Sequence, residues 1–169
     1  MRNILYVLFA LILSGLCIIS CSKDPVSMSE ADPNPNPLML DCKTIIIKPL
    51  IAAQHESIGT VKLQYEDGLL KVIFWIDNES DWSLLTTHVY VGTDEPQKAS
   101  PGKFPYKNEN PDPKSDVYCI SVQPGTCIWF AAHADVQDGS GNQETAWADD
   151  DYEFKQGWGW YCYICFPAN

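Results

Sequence analysis

Three histidines and 22 acidic residues carry most of the chemistry that this 169-residue chain offers. Two of the histidines stand in apolar runs, His88 in "TTHVYVG" and His133 in "FAAHADV", with Asp135 two residues further on. In an extended chain alternate residues share a face. His88 therefore goes with Thr86 and Tyr90, and His133 with Trp129, Ala131 and Asp135. If the two strands are neighbours, His88, His133, Asp135 and Glu144 converge on one spot. Such a set of nitrogen and oxygen donors suits zinc, and would serve a metal-dependent hydrolase built on His88, His133 and Glu144. None of these pairs has the close spacing of local metal motifs. A strand histidine flanked by alanines more often has its ring nitrogens satisfied by a carbonyl or a carboxylate. A hydrogen-bonded structural network is the expectation for these four residues, with zinc as the alternative.

The acidic stretches "DGSGN" (138–142) and "ADDD" (148–151) hold the hard oxygen donors that calcium takes. They lack the EF-hand spacing, and consecutive acids point in different directions, so a solvated acidic edge is expected and calcium is the alternative. The chain holds no GxSxG, no HExxH and no phosphate-binding glycine loop. A non-catalytic domain without a resident cofactor is the reading that results. Its tryptophans supply a different chemistry. Trp75 alternates away from Leu70, Val72, Phe74 and Ile76, and Trp129 away from Ile128 and Phe130. Exposed aromatics on a flat sheet offer large apolar contact at low entropic cost. Trp75, Trp129, Phe104, Tyr106 and Trp147 form the candidate binding set, while Trp158 and Trp160 are assigned to the core.

Residues 1–20 contain a positive Arg2 followed by the apolar run "ILYVLFALILSGLCII", a span that fits a secretory signal better than a permanent membrane helix. The run closes on Ile18-Ile19-Ser20-Cys21, which resembles the lipobox of bacterial lipoproteins, where cleavage precedes a lipidated cysteine. Cys21 and the proline-punctuated stretch up to residue 41 then form a lipidated tether, extended because each proline excludes the helical region for its predecessor. Residues 42–169 remain as one domain with room for a single core. A cell-envelope protein tied to a membrane by its lipid, in the outer membrane and facing the exterior or the periplasm, is the localisation expected.

All 22 acidic residues follow Cys21 and Arg2 is the one basic residue before it, so processing moves the net charge from −11 to −12 and leaves no arginine. That composition excludes nucleic acid as a partner, because phosphate contacts need lysine and arginine in number. Cys42, Cys119, Cys127, Cys162 and Cys165 are the disulfide candidates in an exported chain. Cys162 and Cys165 lie in the run "WYCYICF", where residues three apart face opposite ways and cannot be bridged. A Cys119–Cys127 bridge across the "QPGT" turn is one open pairing.

No stretch after residue 42 keeps a helical period. Short β-branched and aromatic runs alternate with Gly, Pro, Asn and Asp clusters, the pattern of an all-β domain. In "IGTVKLQYEDGLLKVIFWID" the pair Asp67-Gly68 supplies a two-residue hairpin loop. Its register sets Tyr65 opposite Leu70, Leu63 opposite Val72 and Val61 opposite Phe74. Further strands are expected at about 44–49, 86–92, 116–122, 127–136 and 158–166, with long loops over 93–115 and 137–157. Seven or eight strands imply a two-sheet antiparallel β-sandwich, immunoglobulin-like or jelly-roll, with a closed barrel as the alternative.

"GTVKLQYEDG", "WSLLTTHVYVGT", "PGKFPYK", "IWFAAHADV", "ETAWA" and "WGWYCYI" occur in that order over about residues 43–165. Together they resemble an extracellular module of bacterial and archaeal secreted proteins. Its pattern runs as a GTVTV-type hairpin, LTETHLYVG, PGxFPY, IAAHAxV, ETAWAxG and a closing aromatic strand. The resemblance implies an all-β extracellular domain and no defined activity. This chain departs from the pattern where acids follow ETAWA and where Cys162 and Cys165 enter the last strand. The function expected is that of a surface-exposed lipoprotein whose domain binds or adheres to an extracellular glycan or protein. A metal-dependent hydrolase and a purely structural envelope component are the alternatives.

Overall fold

A computed structural model describes residues 38–39 and 45–168. The expected signal segment 1–20, Cys21, nearly all of the expected tether to residue 41, and Cys42 lie outside the described residues. Those described form eleven strands: β1 Leu38–Met39, β2 Ile45–Ala52, β3 Glu56–Glu66, β4 Leu69–Ile76, β5 Ser83–Gly92, β6 Tyr106–Asn108, β7 Ser115–Ser121, β8 Cys127–Gln137, β9 Gln143–Ala148, β10 Tyr152–Glu153 and β11 Trp160–Cys165. A single 3-10 turn, Pro101–Lys103, interrupts the loop between β5 and β6. Among the described residues no helix is long and apolar enough to cross a membrane. The protein is all-β.

The β3–β4 hairpin shows how sequence writes register here. Asp67 and Gly68 take φ values of 50° and 80°, the left-handed pair that a primed two-residue turn requires. Tyr65 then pairs with Leu70, Leu63 with Val72 and Val61 with Phe74, as the alternation demands. All six of these side chains are buried.

The strands run as one ladder in the order β6–β5–β8–β9–β2–β3–β4–β7, with β1, β10 and β11 attached. Strand β8 explains why a separate second sheet does not form. One of its edges pairs with β5 over residues 129–137. The other edge pairs with β11 over 127–130 and with β9 over 133–137. A strand of eleven residues thus joins what two sheets would have divided. Strand β9 falls inside the stretch 137–157 expected as a long loop. Its polar opening, Gln143-Glu144-Thr145, gives weak strand signal, and its pairing with β8 and β2 supplies the stability that local preference lacks.

The ladder curls until β5 and β6 meet β7, and the seam is closed by side chains. The Thr87 hydroxyl donates to Asp116, the Asn108 amide donates to the same carboxylate at 3.0 Å, and the Tyr118 hydroxyl donates to the Thr87 carbonyl at 3.0 Å. A second gap lies between β2 and β11, which share no ladder. There Lys48 Nζ lies 2.8 Å from Asp150 Oδ1, with the Asp150 side chain wholly buried and the Cys162 thiol beside it. Burial therefore raises the Asp150 pKa to about 6 against the pull of the Lys48 charge. Both inward-facing polar groups stand where backbone pairing stops.

Cys127 and Cys165 face each other on the last rung of β8 and β11 and are joined, with Cα atoms 4.0 Å apart. This pairing replaces the Cys119–Cys127 bridge. Cys119 sits on β7, hydrogen-bonded to β4, while Cys127 opens the strand that pairs with β11. Cys119 and Cys162 are buried.

Candidate functional site

Many of the outward side chains of β5, β8, β9 and β11 are covered. The segments 93–105 and 149–159 fold over them, tied together by the Ala99 amide on the Gln156 carbonyl at 3.0 Å. Beneath lies a second apolar cluster, separate from the barrel core, built on Phe104, Ala131, Trp147, Phe154 and Tyr161. Trp147 is its centre. Its ring packs on His133, Phe104, Phe154 and Trp158 at centroid distances of 4.7, 6.1, 5.3 and 6.4 Å. Gly159 passes over the same ring with φ of +132°, and a Cβ there would fall 2.5 Å from the indole. Glycine is required at that crossing.

His88 and His133 are direct cross-strand partners on β5 and β8, and Trp147 is the partner of His133 on β9. The three form one row across the outer face. The imidazoles meet through their Nδ1 atoms at 3.4 Å. Asp135, one alternation further along β8, brings Oδ1 to 3.8 Å from His133 Nε2, and its Oδ2 accepts the Thr86 hydroxyl at 2.5 Å. Donor atoms of His88, His133 and Asp135 all lie within 4.8 Å of one another. Burial holds His133 neutral, pushing its pKa down to about 4 although the Asp135 carboxylate pulls it up. Burial lowers the His88 pKa as well.

An open cleft of about 450 Å³ leads down to this row. Asp135, Thr145 and Trp158 line it, with the 101–102 turn and Gly157 forming its rim. Asp135 is accessible, with its side chain 42 % exposed, whereas His88 and His133 are buried. Two carboxylate oxygens, a threonine hydroxyl and imidazole nitrogens at the foot of an apolar-walled cleft can hydrogen-bond a polar ligand while an indole packs against it.

Three of the four residues expected to converge do so. Glu144 stays outside because of strand parity: Thr145 stands opposite Asp135, whereas Glu144 pairs with core-facing Val136 and is exposed. One residue of register decides which face a side chain takes. Thr86, Thr145 and the 101–102 turn belong to the site but carry no sequence signal beyond their place beside His88 and within the loops.

The candidate aromatic set disperses. Phe104 and Trp147 are buried in the second cluster, Trp129 is half-buried against Tyr163 and Tyr161, and Tyr106 packs at the edge of the barrel core. Trp75 alone of the five is exposed, at 45 %. Trp158 and Trp160 pack edge to face within the loop cluster. In the "DGSGN" turn the Asp138 carboxylate accepts the amides of Ser140 and Asn142 at 2.9 and 2.8 Å. Its oxygens thus cap their own turn, and the described acids do not gather into a calcium-type cluster. Comparison with family models, with curated proteins and with solved structures found no match for this chain.

Proposed function

We propose that this chain is a lipid-anchored protein of the bacterial cell envelope whose domain is a non-catalytic binding or adhesion module for an extracellular glycan or protein. The observation that carries the reading is the cleft above His88, His133 and Asp135. A concave site with apolar walls and a few converging polar groups is the usual form of a small-ligand site. Asp135 and Thr145 offer hydrogen bonds of the kind sugar hydroxyls need, and Trp158 offers the ring face. The lipobox-like ending at Cys21 and the proline-rich tether support placement on a membrane surface, reached from the exterior or the periplasm. On the same reading the domain belongs with the extracellular modules that its motifs resemble.

The test is a titration of intrinsic tryptophan fluorescence against a panel of soluble glycans and envelope extracts. Saturable quenching that is lost in Trp158→Ala and Asp135→Ala is expected. A broad panel without a saturable change would overturn the glycan and protein-binding reading in favour of a structural envelope component.

A further inference from the structure

The histidine pair is poorly served as a hydrogen-bonded network. Its Nδ1–Nδ1 contact of 3.4 Å is longer than the roughly 2.7–3.2 Å of an ordinary N–H hydrogen bond. The 3.8 Å from His133 Nε2 to Asp135 is longer still. Among the described residues neither ring makes any other hydrogen bond. A buried imidazole usually has its second nitrogen bound to a carbonyl or carboxylate. Here the two Nδ1 atoms face each other.

We propose that His88, His133 and Asp135 bind a divalent transition-metal ion of the zinc type. A tetrahedral ion with bonds of about 2.0–2.1 Å keeps its ligand atoms roughly 3.3–3.4 Å apart. The two Nδ1 atoms already stand at that separation. One donor atom from each residue already lies within 4.8 Å of the others, and rotation of the partly exposed Asp135 side chain, which lies 3.8 Å from the Nε2 edge of the His133 ring, brings its carboxylate to the ion. Both rings are backed by rigid elements, since they occupy facing positions on the two longest paired strands of the outer layer. The Thr86 hydroxyl orients the carboxylate from behind, as outer-shell donors do around metal ligands. Neutral imidazole with carboxylate selects zinc and its first-row neighbours over calcium or magnesium. The fourth position opens into the cleft, where water or an oxygen donor of the bound ligand completes the shell.

The site deepens the binding reading, since it puts a Lewis acid at the foot of the proposed ligand cleft. The two can fail separately, because metal uptake is read on the protein alone and glycan binding can be repeated in chelator. The experiment is titration of the metal-stripped, folded protein with Zn2+ and with Co2+. One equivalent per chain is expected, with the visible absorption of four-coordinate Co2+. His88→Ala and Asp135→Ala should each weaken binding roughly tenfold or more, whereas Glu144→Gln should leave it unchanged. His88 is the less deeply buried of the two histidines, so its variant is expected to fold, and circular dichroism on each variant checks this. Sub-stoichiometric uptake by folded wild-type protein, or unchanged affinity in folded His88→Ala, would overturn the proposal.

Discussion

The outer faces of the two halves of the barrel are written by the same alternation and end differently. Over β5, β8, β9 and β11 the outward positions hold Tyr90, Trp129, Trp147 and Tyr161, and two loops turn them into a second core. Over β2, β3, β4 and β7 the outward positions include Ile47, Lys62, Ile73 and Val117 in a single cross-strand row. There Ile45, Ile47, Trp75 and Val117 stay 39–60 % exposed among the described residues. A tryptophan on an outward strand position is thus surface in one half and core in the other. What decides is the loop that passes above it.

That contrast breaks first at its two tryptophans. Trp147→Ala empties the centre of the loop cluster and is expected to cost about 3–5 kcal/mol, as aromatic truncations in cores do. Trp75→Ala on the bare face is expected to stay within about 1 kcal/mol. Urea denaturation of both variants measures the difference. Comparable losses would mean that the two faces are equally covered.

The disulfide sharpens the comparison, since Cys127–Cys165 closes 38 residues within the covered half. Its loss in Cys127→Ser/Cys165→Ser is expected to cost about 3–4 kcal/mol through the freedom returned to the unfolded chain. Denaturation under non-reducing conditions checks this. The double variant should also free the β8–β11 end, giving faster proteolysis in 149–165 than in β2–β4.

The smallest effect is a pair of opposed pH slopes, one from each buried group. The pKa of His133 falls to about 4 in the fold from an unfolded value of about 6.5. The unfolded chain therefore binds the extra proton, and about 3 kcal/mol is lost as pH falls from 6.5 to 4. Asp150 rises to about 6 from about 3.9, so the folded chain binds the extra proton. It returns a similar amount, about 3 kcal/mol, as pH falls through the window from 6 to 4. Measured in chelator, where His133 titrates free of any ion, wild-type stability should be nearly flat across that range. His133→Gln should become more stable on acidification and Asp150→Asn less so, read from denaturation midpoints at several pH values. Parallel profiles for the three proteins would show that neither group titrates as its burial demands.

The strands with two agreeing signals were legible. The 67–68 turn and the apolar alternation of β3 and β4 both dictate one register, and the structure has it. The shared face of His133, Ala131 and Asp135 follows from period two alone, and so does the outward position of Trp75. What depended on distant pairing was not legible. Strand β9 draws its order from β8 and β2, and Glu144 was placed with the histidines because its parity against β8 cannot be read locally. Phe104 and Trp147 were offered as binding residues because no local pattern tells whether a loop will lie on them. The partner of Cys127 was missed for the same reason: contacts across 38 residues are a property of the closed ladder.

The seam at Thr87, Asn108, Asp116 and Tyr118 gives the barrel a fault line. Along the ladder, separating two strands breaks a row of backbone bonds together. Along this line the closure is a handful of side-chain contacts around one carboxylate. Peptide groups of β7 that point toward β5 and β6 lack ladder partners there, so their hydrogen exchange is governed by local parting of the seam. Opening it bares two strand edges at once, each a template for another chain. Asp116, together with the Tyr118–Thr87 contact beside it, therefore bears on solubility as well as on stability.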